Sequence, residues 1–247
     1  SRIRYTPTIS ELQGKIKNVT LKTADKKLLN CWDIVADNAK KYVLFLHGAS
    51  RNISNHQDLY KALNKNGYNV FALEYRGFGT NPKAKLDEKL LDIDVDAALE
   101  YLKKKTSMQN IGVVAHSMGT AIALESARQN RNFDSVILVS PIDGLLSASN
   151  KTLSNSGGVV PKPVKKLVQK YPFLIKPFDN VLKTESKISE VHSPIYIIHS
   201  ENDSIIHFSV ADNLSIKAKN LKKFVKIPTG GHTLGPEKID SILEILE

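Results

Sequence analysis

Residues 113–119 read Val113-Val114-Ala115-His116-Ser117-Met118-Gly119. The apolar run Ile111 to Ala115 predicts a buried strand, and Gly119 to Arg128 has the composition of a helix. Ser117 therefore falls on the tight turn between them. Small residues stand two positions before it (Ala115) and two after it (Gly119), where bulk would strike neighbouring backbone. Such a turn lifts a serine hydroxyl above the carboxyl edge of a sheet and sets a helix N-terminus, with its partial positive charge, behind it. The usual form has glycine at both flanks; here the first is Ala115, and Thr120 follows Gly119 where a further glycine is common. The bland alternative is a serine capping the next helix.

Working outward, strand-like and helix-like stretches alternate. Ile16–Leu21 and Leu28–Val35 predict a hairpin turning at Asp25-Lys26-Lys27. Short apolar strands are expected at Tyr42–Leu46, Asn69–Leu73, Ser135–Val139, Ile195–His199 and Lys223–Ile227. Helices are expected at Asn55–Lys65, Leu90–Leu102, Val210–Ala218 and Glu237–Leu246, the last with Pro236 near its start. Continuous apolar strands separated by helices imply a mostly parallel sheet, here of eight strands, covered on both faces. The fold class is α/β, in one domain spanning 1–247. Residues 144–193 break the alternation with a Ser/Asn/Gly-rich stretch and then four prolines, and they predict a lid insertion.

A serine hydroxyl needs a neighbouring base. Of seven histidines, His232 lies in Thr229-Gly230-Gly231-His232-Thr233, a loop flexible enough to swing a ring over the sheet edge. The base needs a buried acceptor, and Asp203 closes the strand segment before the one leading to His232, with Glu201 and Asp143 as alternatives. The chain order Ser, Asp, His suits this fold class. Two backbone donors for an oxyanion are expected at Met118 N–H and, after the strand Tyr42–Leu46, at Ala49 N–H. His47, Gly48, His116, Phe173 and Phe178 are the candidate substrate contacts. His47, however, ends a strand and is expected to hold a loop, and His116 to turn away from the reacting centre. Neither a metal nor an organic cofactor is called for.

The 247 residues carry a net charge of +10, but only six of the 35 basic residues are arginine and the lysines are spread along the chain. That argues against nucleic acid, which favours arginine forks interleaved with aromatics, and leaves a pull toward anionic lipid. The single cysteine, Cys31, excludes an intrachain disulfide, fits a reducing compartment and reads as a buried, inert thiol. No run approaches the ~20 apolar residues that span a bilayer. The chain opens on Ser1, so a signal or anchor upstream stays open.

Together these residues resemble the α/β-hydrolase superfamily over roughly residues 15–245. Within it the chain looks most like single-domain hydrolases, often membrane-anchored, related to protein depalmitoylases. The points of contact are Leu46-His47-Gly48, Asn52-Ile53-Ser54, Tyr75-Arg76-Gly77-Phe78-Gly79, the Ser117 turn, Ser140-Pro141, Tyr171-Pro172-Phe173, Phe178-Asp179-Asn180, Ser193-Pro194, Asn202-Asp203 and Gly231-His232. It is also similar to monoacylglycerol lipases and serine aminopeptidases at His116-Ser117-Met118-Gly119 and Val139-Ser140-Pro141. The departures are Ala115 for glycine and Glu74 where aspartate often precedes the Tyr-Arg-Gly turn, with Arg76 expected as an ion-pair partner.

The resemblance implies a serine hydrolase acting on small-molecule acyl substrates, short or medium esters or thioesters, in the cytoplasm or at a membrane. The alternatives are an aminopeptidase-like or lipase-like hydrolase and, from another class, a catalytically silent binding domain.

Overall fold

The computed structural model describes residues 5–39, 41–84, 87–129, 131–144 and 183–247. Eight strands form one sheet: β1 (Ile16–Lys22), β2 (Leu28–Ile34), β3 (Lys41–Leu46), β4 (Tyr68–Leu73), β5 (Ile111–His116), β6 (Ser135–Val139), β7 (Ile195–Ser200) and β8 (Leu221–Ile227). Their order across the sheet is β1-β2-β4-β3-β5-β6-β7-β8. β1 and β2 are a hairpin, and β2 meets β4 antiparallel; every later pairing is parallel. The mostly parallel eight-stranded sheet expected from the sequence is therefore present.

Burial follows from position. β5 and β6 are buried along their whole length, as strands covered on both faces must be. The outermost strands β1 and β8 are largely exposed or half-buried and carry Lys17, Lys22, Lys222, Lys223 and Lys226, charges that discourage a further strand from pairing there. Five helices lie among the described residues: α1 (Gln57–Lys65), α2 (Glu88–Lys103), α3 (Met118–Arg128), α4 (Phe208–Lys217) and α5 (Pro236–Leu246). One face of the sheet, through Leu44, Leu46, Val113 and Leu138, packs on Leu99 of α2, Ile122 of α3 and Leu214 of α4. The other face, through Val43, Phe45, Val114 and Ile137, packs on Leu63 of α1 and Ile242 of α5.

Local chemistry sets the helix starts. Asp87 caps α2 by accepting from Lys89 and Leu90 N–H at 2.9 and 3.2 Å. Before α1, Asn52 accepts from Ser54 N–H while Asn55 Oδ1 accepts from Asn52 N–H. This reciprocal cap turns the beginning of the expected Asn55–Lys65 helix into a 3₁₀ turn over Ile53–His56.

The chain leaves β3 toward β4 on one side and returns across it to β5 on the other. The carboxyl ends of β3 and β5 therefore border a topological switch point, where open α/β sheets form their clefts. The expected lid, with Phe173 and Phe178, lies almost wholly outside the described residues. Among those described, no helix is long and apolar enough to cross a membrane.

Candidate active site

β5 ends at His116 and α3 begins at Met118, so Ser117 alone makes the turn, with φ 54° and ψ −120°. A positive φ at a non-glycine residue is strained, and here several bonds hold it. Ser117 N–H donates to Val139 O at 3.0 Å, and Ser117 O accepts from Thr120 N–H at 2.9 Å and Thr120 Oγ1 at 2.6 Å. Thr120, in the place of a second glycine, thus closes the turn with its hydroxyl.

The two small flanks are not equivalent. A Cβ on Gly119 would lie 2.2 Å from Leu46 O and 2.7 Å from Leu46 C, so any other residue must displace backbone. Ala115 instead packs its methyl group fully buried in the core beside α2 and α3, which explains why its departure from glycine is tolerated.

His232 Nε2 lies 3.0 Å from Ser117 Oγ, and His232 Nδ1 lies 2.8 Å from Asp203 Oδ2. With the carboxylate accepting from Nδ1–H, Nε2 is left to accept the serine proton. The other oxygen of Asp203 accepts from Ile205 and Ile206 N–H, both at 2.9 Å. Burial pushes the Asp203 carboxyl up, but the hydrogen bond and charge of His232 and the two amides outweigh it and bring it down to about 2. Glu201 is exposed, and Asp143 lies near Thr184 (3.4 Å), so of the three candidate acids Asp203 is the one at His232.

The loop carrying His232 is clamped from several sides. Gly230 and Gly231 have φ 100° and 59°, which lets the chain turn sharply before the histidine. Gly231 N–H donates to Asn202 Oδ1 at 2.9 Å. Lys238 Nζ donates to Gly231 O at 2.6 Å and to Ser140 Oγ at 2.9 Å.

His116 Nε2 lies 2.7 Å from His232 O. Burial, followed by the charges of His232 and His56, holds the His116 imidazole well below its usual range, so it is neutral and donates through Nε2–H to that carbonyl. Of the two expectations for His116, the structure agrees with the turn away from the reacting centre and not with a substrate contact: it is buried and engaged in holding the base.

His47 likewise holds the loop, as expected of a strand-ending histidine, instead of touching substrate. It has no exposed surface, its Nε2 lies 2.9 Å from Glu74 Oε1, its Nδ1 is 2.8 Å from Gly48 O, and its ring packs against both Tyr75 and Phe78. Glu74 in turn accepts from Tyr5 OH at 2.9 Å and from Ile53 N–H at 3.3 Å. The group stiffens the loop after β3. Gly48 faces the site: a Cβ there would come 3.1 Å from Ser117 Cβ. Ala49 follows on that loop, and Met118, opening α3, has a first-turn N–H with no carbonyl one turn earlier to receive it.

Arg76 stands apart. It bonds Asp94 of α2 (Nη2 to Oδ1, 2.6 Å) and Asp25 of the β1–β2 turn (Nη1 to Oδ2, 2.7 Å), tying hairpin to helix. Cys31 is buried on β2, and burial raises its thiol to about 12. Among the described residues no group of three or more His, Cys, Asp or Glu side chains could hold a metal ion. Lys238 and Asn202 are the site residues that the sequence reading missed.

Residues 37–177 match the family model described as Serine aminopeptidase, S33. Among curated relatives, the uncharacterised protein YfhR of Escherichia coli K12 is 26 % identical over 202 residues, covering 80 % of this chain and 64 % of that protein. Lysophosphatidylserine lipase ABHD12 of Xenopus tropicalis is 23 % identical over 222 residues, covering 83 % of this chain and 55 % of that protein. The chain thus spans less than two thirds of either relative. Among solved structures, the Pyrococcus furiosus esterase Pf2001 superposes with a TM-score of 0.79 at 21 % identity, covering 100 % of this chain and 95 % of that one. At that identity the likeness speaks for the fold.

Proposed function

This chain belongs to the family described as Serine aminopeptidase, S33, within the α/β-hydrolase superfamily, and we propose that it is a serine hydrolase cleaving carboxylic esters or thioesters of short or medium acyl groups. The observation that carries the reading is the relay from Asp203 through His232 to Ser117, two contacts of 2.8 and 3.0 Å ending on a partly exposed hydroxyl. Ser117 Oγ adds to the acyl carbon while its proton passes to His232 Nε2. The carbonyl oxygen gains charge as the bond forms, and Met118 and Ala49 N–H receive it. His232 then protonates the departing alcohol or thiol as its bond to the acyl carbon breaks. Water, deprotonated by the same nitrogen, releases the acid and restores Ser117. Asp203 keeps the imidazole in the required tautomer and stabilises its cation. Phe173 and Phe178 of the 144–193 insertion are proposed to cover the acyl chain.

Ester rather than amide cleavage is supported by the names of similar proteins, an esterase and a lysophospholipid lipase. The test is a series of p-nitrophenyl esters beside aminoacyl-arylamides, with a fluorophosphonate probe to count reactive sites. Ser117→Ala is expected to lose probe labelling and roughly 10⁴- to 10⁶-fold in turnover. Undiminished ester hydrolysis in that variant refutes the triad. A protein that never labels is the silent binding domain, and faster arylamide cleavage makes it a peptidase.

A further inference from the structure

Lys238 is an unusual lysine. It lies in the first turn of α5 with about 1 % of its surface exposed. A buried ammonium is costly unless paired, and a cation in the first helical turn also opposes the helix dipole. Nothing in the packing of α5 requires it, since Ile239, Ile242 and Leu246 already form the apolar stripe. Its two acceptors are revealing. One is Gly231 O, at 2.6 Å, in the peptide that leads directly into His232. The other is the hydroxyl of Ser140, at 2.9 Å, the residue just after β6. Ser140 is itself fixed, with φ 48° and its N–H donating to Ile198 O at 2.9 Å. The ammonium therefore joins a rigid strand end to a loop that two glycines make soft.

We propose that Lys238 is a positioning residue for the reaction, a buried cationic strut that holds the Gly230-Gly231 turn so that the His232 ring stays in line between Asp203 and Ser117. This rests on the assignment of His232 as the base. Gly231 is gripped through both its polar groups: its N–H bonds Asn202 and its C=O bonds Lys238, while His116 holds the carbonyl of His232. A charged donor makes the strongest of these bonds. Burial draws the Lys238 ammonium down to about 8, opposed by the negative charges of Asp203 and Glu237, so near neutral pH the strut keeps its charge.

The test is Lys238→Met, which keeps the apolar stem and removes the donors, assayed for kcat and KM per fluorophosphonate-reactive site with thermal unfolding alongside. The expected result is a fall in kcat of about 10- to 100-fold, because a misplacement near 1 Å costs on the order of 10²-fold. KM should stay within about twofold, and counting kcat per reactive site keeps any fall in Tm, from the two acceptors left without their donor, out of the comparison. Wild-type kcat per reactive site, or loss that only follows the folded fraction, overturns the proposal. Should Lys238→Met not fold, Ser140→Ala decides: it takes away one acceptor and is expected to lower kcat several-fold, and an unchanged kcat overturns the role. Ser117→Ala in the same assay separates the two readings. Turnover lost there but intact in Lys238→Met removes the strut alone, whereas turnover surviving in Ser117→Ala removes the triad and the strut with it.

Discussion

Replacing Gly119 by alanine adds one methyl group at the point where α3 crosses the end of β3. The new Cβ would stand 2.2 Å from Leu46 O, 2.7 Å from Leu46 C and 3.0 Å from His47 O. Contacts under 3.0 Å are essentially never seen for a real Cβ, so at least the 0.8 Å between 2.2 and 3.0 Å must be recovered by moving backbone. Neither partner yields easily. Leu46 pairs with Ala115 on one side and Leu73 on the other, and α3 is buried along most of its length. Overpacking of this kind costs about 1–3 kcal/mol, and a backbone neighbour puts it at the upper end. For a chain of this size about 3 kcal/mol corresponds to a fall in Tm of roughly 6–12 °C.

The displaced segment also leads into Gly48 and Ala49, the loop proposed to supply an oxyanion donor. A shift near 1 Å there is expected to lower kcat by about 10²-fold. Thermal unfolding and kcat per reactive site check both numbers. Gly14→Ala is the control: Gly14 has φ 76° but nothing within 4 Å of its Cβ, so it should lose only modest stability, about 1 kcal/mol, at unchanged kcat. A Gly119→Ala protein with Tm within about 2 °C and kcat within about threefold of wild type would refute the steric account of the turn.

Two further outcomes are expected. Asp203, held near 2 against an ordinary 3.8, contributes about 2 kcal/mol, present above pH 4 and lost as pH falls through about 2. The stability gap between wild type and Asp203→Asn should accordingly narrow when urea unfolding is repeated at pH 2.5 instead of 7, and a constant gap would contradict it. Arg76→Met strands the buried carboxylate of Asp94 and is expected to cost about 3–5 kcal/mol with kcat per reactive site unchanged. Urea unfolding beside the ester assay checks both, and an activity loss without a stability loss would place Arg76 in the chemistry.

Much of this molecule is legible in one dimension because its signals are local. β3, β5 and β6 are short runs, apolar but for Lys41, His116 and Ser135 at their ends, and burial on both faces is what such runs imply. Ser117, Asp203 and His232 stand out because each follows a strand, and in a parallel sheet all such strands deliver their ends to one edge. His47 and His116 carry two readings in sequence, as substrate contacts because they flank the expected site and as structural groups because one ends a strand and the other turns from the serine, and the structure agrees with the second. In a strand, successive side chains point to opposite faces. His116, next to the serine, points under the His232 loop, and His47 is sealed against Glu74 by the aromatic rings around it.

Lys238 escaped for a different reason. In a chain with 35 basic residues, a lysine on a helix carries no signal by type. The signal is positional: Lys238 is four residues before buried Ile242 and three before buried Ser241, which puts it on the inward face of α5, in the first turn where a cation is least favoured. Two local rules are broken at one position, and such breaches are retained where something else compensates. Here the compensation is the bond to Gly231, and its location matters. Gly230 and Gly231 are what allow His232 to reach the sheet edge, but the same freedom would let the ring wander. A turn loose enough to reach the serine needs restraint from outside its own backbone. Asn202, His116 and Lys238 supply that restraint from three separate elements, which is why no single stretch of sequence displays it.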